Sequence, residues 1–111
     1  MNALLRCVAL TLAMAVIPVG ASAQQNEFTI VIKNHRFEPA EVTVPAGKKV
    51  KLIVHNQDPT PEEFESHSLK REKIINGGAK ATIMIGPLKP GTYEFFGEFH
   101  ESTAKGKIIA K

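Results

Sequence analysis

From Glu27 onward the chain is a succession of short segments in which apolar residues recur at every second position, each stopped by glycine or proline. Phe28, Ile30 and Ile32 alternate in EFTIVIK, Val42 and Val44 in EVTVPAG, and Val50, Leu52 and Val54 in KKVKLIVH. A period of two is what a strand with one buried face requires, and several such runs with regular punctuation predict an all-β sandwich or barrel. KATIMI (80–85), TYEFFGEF (92–99) and GKIIAK (106–111) continue the series, with PLKPG (87–91) as the loop before the second of them. The turn Pro45-Ala46-Gly47-Lys48 is expected to close 41–45 and 48–54 into a hairpin.

The pattern breaks between Gln57 and Gly78. QDPTPEEFESHSLKREKIINGG holds many of the acidic residues and no clean period. It reads as a long irregular excursion with one helical turn and one short strand, which brings the total to about seven strands. A long irregular segment in a small domain is more often functional than idle.

The first 23 residues read as a cleaved secretory signal rather than as part of the fold. Arg6 lies in a short basic start, an uncharged run from Cys7 to Gly20 follows, and Ala21-Ser22-Ala23 has the small-x-small form of a signal peptidase site. The run is shorter than the roughly 20 residues that cross a bilayer. A periplasmic location is therefore expected, with no membrane span in the mature chain. Residues 24–111 form one domain, large enough for one core but not for two. With Arg6 set aside, 13 basic side chains stand against 11 acidic ones. So weak a balance argues against nucleic acid and against an anionic membrane surface. The single cysteine, Cys7, lies in the signal, so the mature chain has no thiol and no disulfide, which excludes thiolate chemistry. No nucleophile elbow or Ser/His/acid order is present, which excludes a triad hydrolase.

A hairpin closed at Gly47 would bring the start of its first strand and the end of its second together, placing His35 to Pro39 and His55-Asn56 at one pole. The excursion leaves from the same end. Given that strand 92–97 runs in the same sense as strand 48–54, FFGEFHESTAKG turns over there too, and all four histidines converge.

The order FEPAEVTVPAG, a strand ending in Asn56, a loop with His67, then PLKPGTYEFFGEFH and a final GKIIAK resembles the cupredoxin fold, a Greek-key β-sandwich, over essentially the whole mature chain. In blue-copper members two histidines, a cysteine and a weak axial methionine hold the ion. The resemblance places the first histidine on His67, the second on His100, the cysteine on Gly97 and the methionine on about Ala104, so two of the four ligands survive. Met84, the only methionine after the signal, lies in an apolar strand and reads as core. A blue-copper electron carrier is not expected. EEFES (62–66), REK (71–73) and PLKPGTYEFFGEFH make the chain similar, more narrowly, to the cupredoxin-like domains of bacterial ferrous-iron uptake, of the EfeO type and the small stand-alone periplasmic kind. The resemblance implies a site for copper or iron, a ferroxidase-like part in iron acquisition, and as partners a periplasmic iron-binding protein and an inner-membrane iron permease. Some members carry cysteines corresponding to Gly97 and near Phe37, and this chain has neither.

The donors that remain are borderline and hard. In an extended segment Glu63, Glu65 and His67 point to one side, and Glu98 and His100 repeat the same spacing. Two such Glu-x-His pairs facing each other would offer a nitrogen–oxygen set suited to Cu(II), iron, Mn(II) or Zn(II), and unsuited to Cu(I). His35, two residues before the FEP segment, is a further candidate, while His55 alternates outward with Lys51 and Ile53 and reads as surface. Arg71 and Lys73 are expected to pair with the acidic stretch. Phe95, Phe96 and Phe99 read as core, one of them shielding the site. Gly97 either allows a close backbone approach or leaves room for water. The sequence thus predicts a monomer or weak homodimer that binds one copper or iron ion at His67, His100, Glu63, Glu65, Glu98 and His35. The competing reading is a metal-free interaction module on the same fold.

Overall fold

The computed structural model describes residues 25–111; the expected signal lies outside them. The alternating segments form strands as their period requires. They are β1 (Glu27–Lys33), β2 (Arg36–Glu38), β3 (Glu41–Val44), β4 (Val50–Asn56), β5 (Glu62–Ser66), β6 (Arg71–Ile75), β7 (Lys80–Ile85), β8 (Gly91–Gly97) and β9 (Lys105–Ala110), with a 3-10 turn at Glu98–His100. They make two sheets, ordered β2-β1-β4-β7 and β3-β9-β8-β5-β6. The alternating apolar residues face inward from both. Ile30, Ile32, Val50, Leu52, Val54, Ile83 and Ile85 come from the first sheet, and Val42, Val44, Phe64, Phe95 and Ile108 from the second; all are buried.

Three expectations about the strands are corrected. The segments before and after Gly47 do not form a hairpin, because β3 lies in one sheet and β4 in the other. Both edges of β4 are already taken, by β1 in parallel and by β7 antiparallel, whereas β3 finds an open edge beside β9, with Glu41 opposite Lys107. Residues 45–49 therefore cross between the sheets. The stretch 57–78 is not an irregular excursion with a helical turn: it folds into the antiparallel pair β5–β6, in register from Glu62↔Ile75 to Ser66↔Arg71. Its connection is tied by Ser66, whose hydroxyl donates to Glu94 O at 2.6 Å and accepts from Leu69 N at 3.1 Å. With β2 and β6 added, the described residues hold nine strands rather than about seven.

Met84 is 41 % exposed and Phe99 48 %, so neither belongs to the core. Each sits at a position whose parity or turn faces it outward, while Phe95 is buried as expected. Arg71 does not pair with the acidic stretch: its guanidinium donates to the backbone oxygens of Met84 at 2.8 Å and Lys70 at 3.0 Å, and so fastens the edge of the second sheet to β7.

Candidate metal centre

Strand β5 supplies the site because its two faces differ. Glu62, Phe64 and Ser66 point into the sandwich and are almost fully buried, while Glu63 and Glu65 point to the opposite face. Strand β8 ends beside it, with Phe64 opposite Gly97, so the 3-10 turn Glu98–His100 lies against the start of β5. Within that turn, Glu98 and His100 diverge to the two sides of the strand.

On the inner side, Glu62 is 1 % exposed. One of its oxygens accepts from the backbone N–H of Phe99 at 2.9 Å and of Glu63 at 3.0 Å; the other lies 2.6 Å from His100 Nδ1. Gly97 makes this approach possible, since a Cβ there would stand 2.7 Å from Glu62 Cδ and 2.7 Å from Ala104 Cβ. The ring of His35 stacks on that of His100, with centroids 3.5 Å apart and an angle of 14° between planes. His35, Glu62 and His100 each bring one potential ligand atom within 4.8 Å of the other two.

On the outer side, Glu63, Glu65, Glu72 and Glu98 gather four carboxyl groups within the same limit. Glu63 is only 8 % exposed. A hydrogen bond with Glu98, then desolvation, then the charges of Glu98 and Glu72 push its pKa up to about 7. Glu65 is raised as well, first by its hydrogen bond with Glu98, whereas Glu98 is lowered because Glu63 and Glu65 donate to it. Like charges this close disfavour ionisation of Glu63 and Glu65, while their hydrogen bonds favour the ionised Glu98.

The histidines do not all converge. His35 and His100 meet, but β5 runs antiparallel to β8 and carries His67 back toward Glu94, away from the turn. His67 is 81 % exposed, with Nδ1 3.7 Å from Glu65 Oε2, and lies outside both donor groups. His55 alternates with the buried Val54 and Asn56 on β4 and faces away from the core. The pair of facing Glu-x-His motifs is thus replaced by one group with two nitrogens and a carboxylate and another of four carboxyls. Of the expected site residues, His35 and His100 fall in the first, Glu63, Glu65 and Glu98 in the second, and His67 beside the second. Sequence reasoning missed Glu62 and Glu72. Glu62 shares parity with Phe64, and Glu72 stands opposite Glu65 once β6 is paired.

Two layered sheets with donor side chains at one end define a cupredoxin-type domain, and the chain belongs to the cupredoxin-like domain family, whose profile matches residues 6–110. It is 54 % identical over 83 residues to an uncharacterised protein of Rickettsia prowazekii (strain Madrid E), covering 75 % of this chain and 66 %, just under two thirds, of that one. Among solved structures it resembles dithionite-reduced auracyanin of Roseiflexus castenholzii (TM-score 0.65, 15 % identity, 79 % of this chain and 98 % of that one). It also resembles a purple cupredoxin of Nitrosopumilus maritimus (TM-score 0.58, 19 % identity, 75 % and 98 %). A third is the metal-binding domain of the Cu(I)-exporting P-type ATPase CopA of Streptococcus pneumoniae D39 (TM-score 0.65, 17 % identity, 77 % and 84 %). At these identities the likeness establishes the fold.

Proposed function

We propose that this is a periplasmic metal-binding protein of iron acquisition, which holds copper at His35, Glu62 and His100 and receives iron at Glu63, Glu65, Glu72 and Glu98. The observation that carries the reading is the pair of donor groups on opposite faces of β5, each completed by the same 3-10 turn. Their chemistry differs in the way the two metals require. Two imidazoles and a carboxylate suit Cu(II), whereas four carboxylates suit a hard cation such as Fe(III). Bound copper would supply one-electron redox capacity. The protein's part is to keep Glu62 away from bulk water, to orient His100 through the Nδ1 contact, and to gather the charge that attracts iron. Glu63 fits such a role: the residue is nine-tenths buried and its acidic neighbours raise its pKa to about 7, so that a cation in their midst would relieve their repulsion. Release of iron to a periplasmic iron-binding protein, and through it to an inner-membrane permease, completes the proposal. A ferroxidase-like contribution is part of the same reading.

One observation favours the metal-free interaction module instead: Glu62 is already satisfied by two backbone amides and His100. Anaerobic titration of the protein with Cu(II) and separately with Fe(II), followed by calorimetry and optical spectra before and after admitting air, separates the two. One-to-one Cu(II) binding without an intense blue band, and Fe(III) formation faster than in buffer, support the metal reading. Binding of neither metal below the millimolar range leaves the interaction module. E72Q should weaken iron binding and leave Cu(II) binding in place.

A further inference from the structure

We infer that Asp58 is a positioning residue for His35, fixing the turn that carries this imidazole so that it stands against His100 before any ion arrives. The inference rests on the reading of His35, Glu62 and His100 as a donor set.

The connection between β1 and β2 is only Asn34 and His35, with φ of +54° and +59°. Consecutive left-handed residues make the tight turn that a two-residue hairpin needs, a region that asparagine and histidine enter more readily than most side chains but still seldom. The His35 ring has its stack on His100 but is still 43 % exposed. The backbone of the turn is held by a carboxylate from elsewhere in the chain. Asp58, 8 % exposed, accepts the Asn34 N–H on Oδ1 at 2.8 Å and the His35 N–H on Oδ2 at 2.9 Å, and Oδ2 stands 3.5 Å from His35 Nδ1.

Asp58 is itself held. Its N–H donates to Asn56 Oδ1 at 3.0 Å, and the fully buried Asn56 amide donates in turn to Thr60 O at 2.8 Å and Ile75 O at 3.0 Å. The Asp58 carbonyl accepts from Gly78 N at 3.1 Å. From the other side, Thr103 Oγ1 donates to His35 O at 2.6 Å, while the Thr103 N–H donates to His100 O at 3.2 Å. The His35 backbone is therefore clamped between Asp58 and the segment that carries its stacking partner. Asp58 spends its oxygens on amides and is not one of the converging donor atoms. A ligand held in place needs no ordering when the ion binds, and loss of such outer partners costs about 10–100-fold in metal affinity.

The test is Cu(II) titration at substoichiometric copper with electron paramagnetic resonance of nitrogen couplings, on the unsubstituted protein, D58A, H35A and the D58A/H35A pair. The expected result is an affinity loss of about 10–100-fold for D58A with one imidazole coupling gone, a similar loss for H35A, and no further loss in the double variant. Unchanged affinity and couplings in D58A, with only a lower melting temperature, would overturn the inference, as would an undiminished D58A effect in the H35A background. Should D58A fail to fold, D58N keeps the shape and one acceptor and serves the same comparison. Absence of nitrogen-coupled Cu(II) in the unsubstituted protein sinks the donor-set reading and the inference together. Normal binding there with no change in the variants sinks the inference alone.

Discussion

A carboxylate at 1 % exposure persists only where the protein returns the hydrogen bonds that water would have made, and Glu62 receives them from Phe99, Glu63 and His100. It reaches them because residue 97 has no Cβ. G97A should force Glu62 or Ala104 aside, with a stability loss of about 1–3 kcal/mol in urea denaturation and weaker Cu(II) binding by calorimetry. On the outer face, Glu63 yields a prediction with a definite sign. Its folded pKa is raised from 4.5 to about 7, so the folded state holds a proton that the unfolded state has given up. Its contribution to stability is fully present below about pH 4.5 and lost as pH rises through about 7. Glutamine mimics the protonated form. In metal-free protein, E63Q should melt at a similar temperature to the unsubstituted chain near pH 5 and at a higher one near pH 8. A parallel decline of both with pH would refute this.

At the scale of elements, β5 decides the arrangement, because its two parities feed the two donor groups. Its anchor is Phe64, fully buried, stacked on Phe95 at 4.9 Å and edge-on to Phe37 at 6.0 Å. F64A should cost about 3–5 kcal/mol, measured by chemical denaturation, and should disorder both donor groups together because Glu63 and Glu65 flank the lost ring on one group's side and Glu62 shares its parity on the other's. Of β5 and β6 the chain disclosed only one short strand without bounds in an otherwise irregular stretch. EEFES contains one apolar residue, from which no period can be drawn, and REKII has four exposed residues before the buried Ile75. These strands exist through their partners: β5 is bonded on both sides, and β6 is an edge strand that does not need an apolar face. By contrast β1, β4 and β9 bury alternate residues and were readable directly.

For the whole molecule, the proposed metal binding would be linked to folding, because both donor groups draw on segments distant in sequence. An ion that binds only the folded state at 100 times its dissociation constant adds about 2.7 kcal/mol. In a domain of this size each kcal/mol raises the melting temperature by about 4–8 °C. Calorimetric melting with excess Cu(II) should therefore show a rise of 10 °C or more, of the order of that product. The rise should be abolished in H35A/H100A; an equal rise there would place the ion elsewhere.

What the sequence by itself determined is the all-β sandwich, through alternation strong enough to survive any pairing, and the candidacy of His35, His67, His100, Glu63, Glu65 and Glu98 as donors. Tertiary structure alone decided how they are grouped. The antiparallel registry of β5 with β8 set Glu62 beneath His100 and carried His67 away, the open edge beside β9 drew β3 out of the expected hairpin, and β6 brought Glu72 opposite Glu65. Period within a strand is a local property that each residue reports. Which strand lies beside it is settled by competition among edges for hydrogen bonds, and no single segment carries that information.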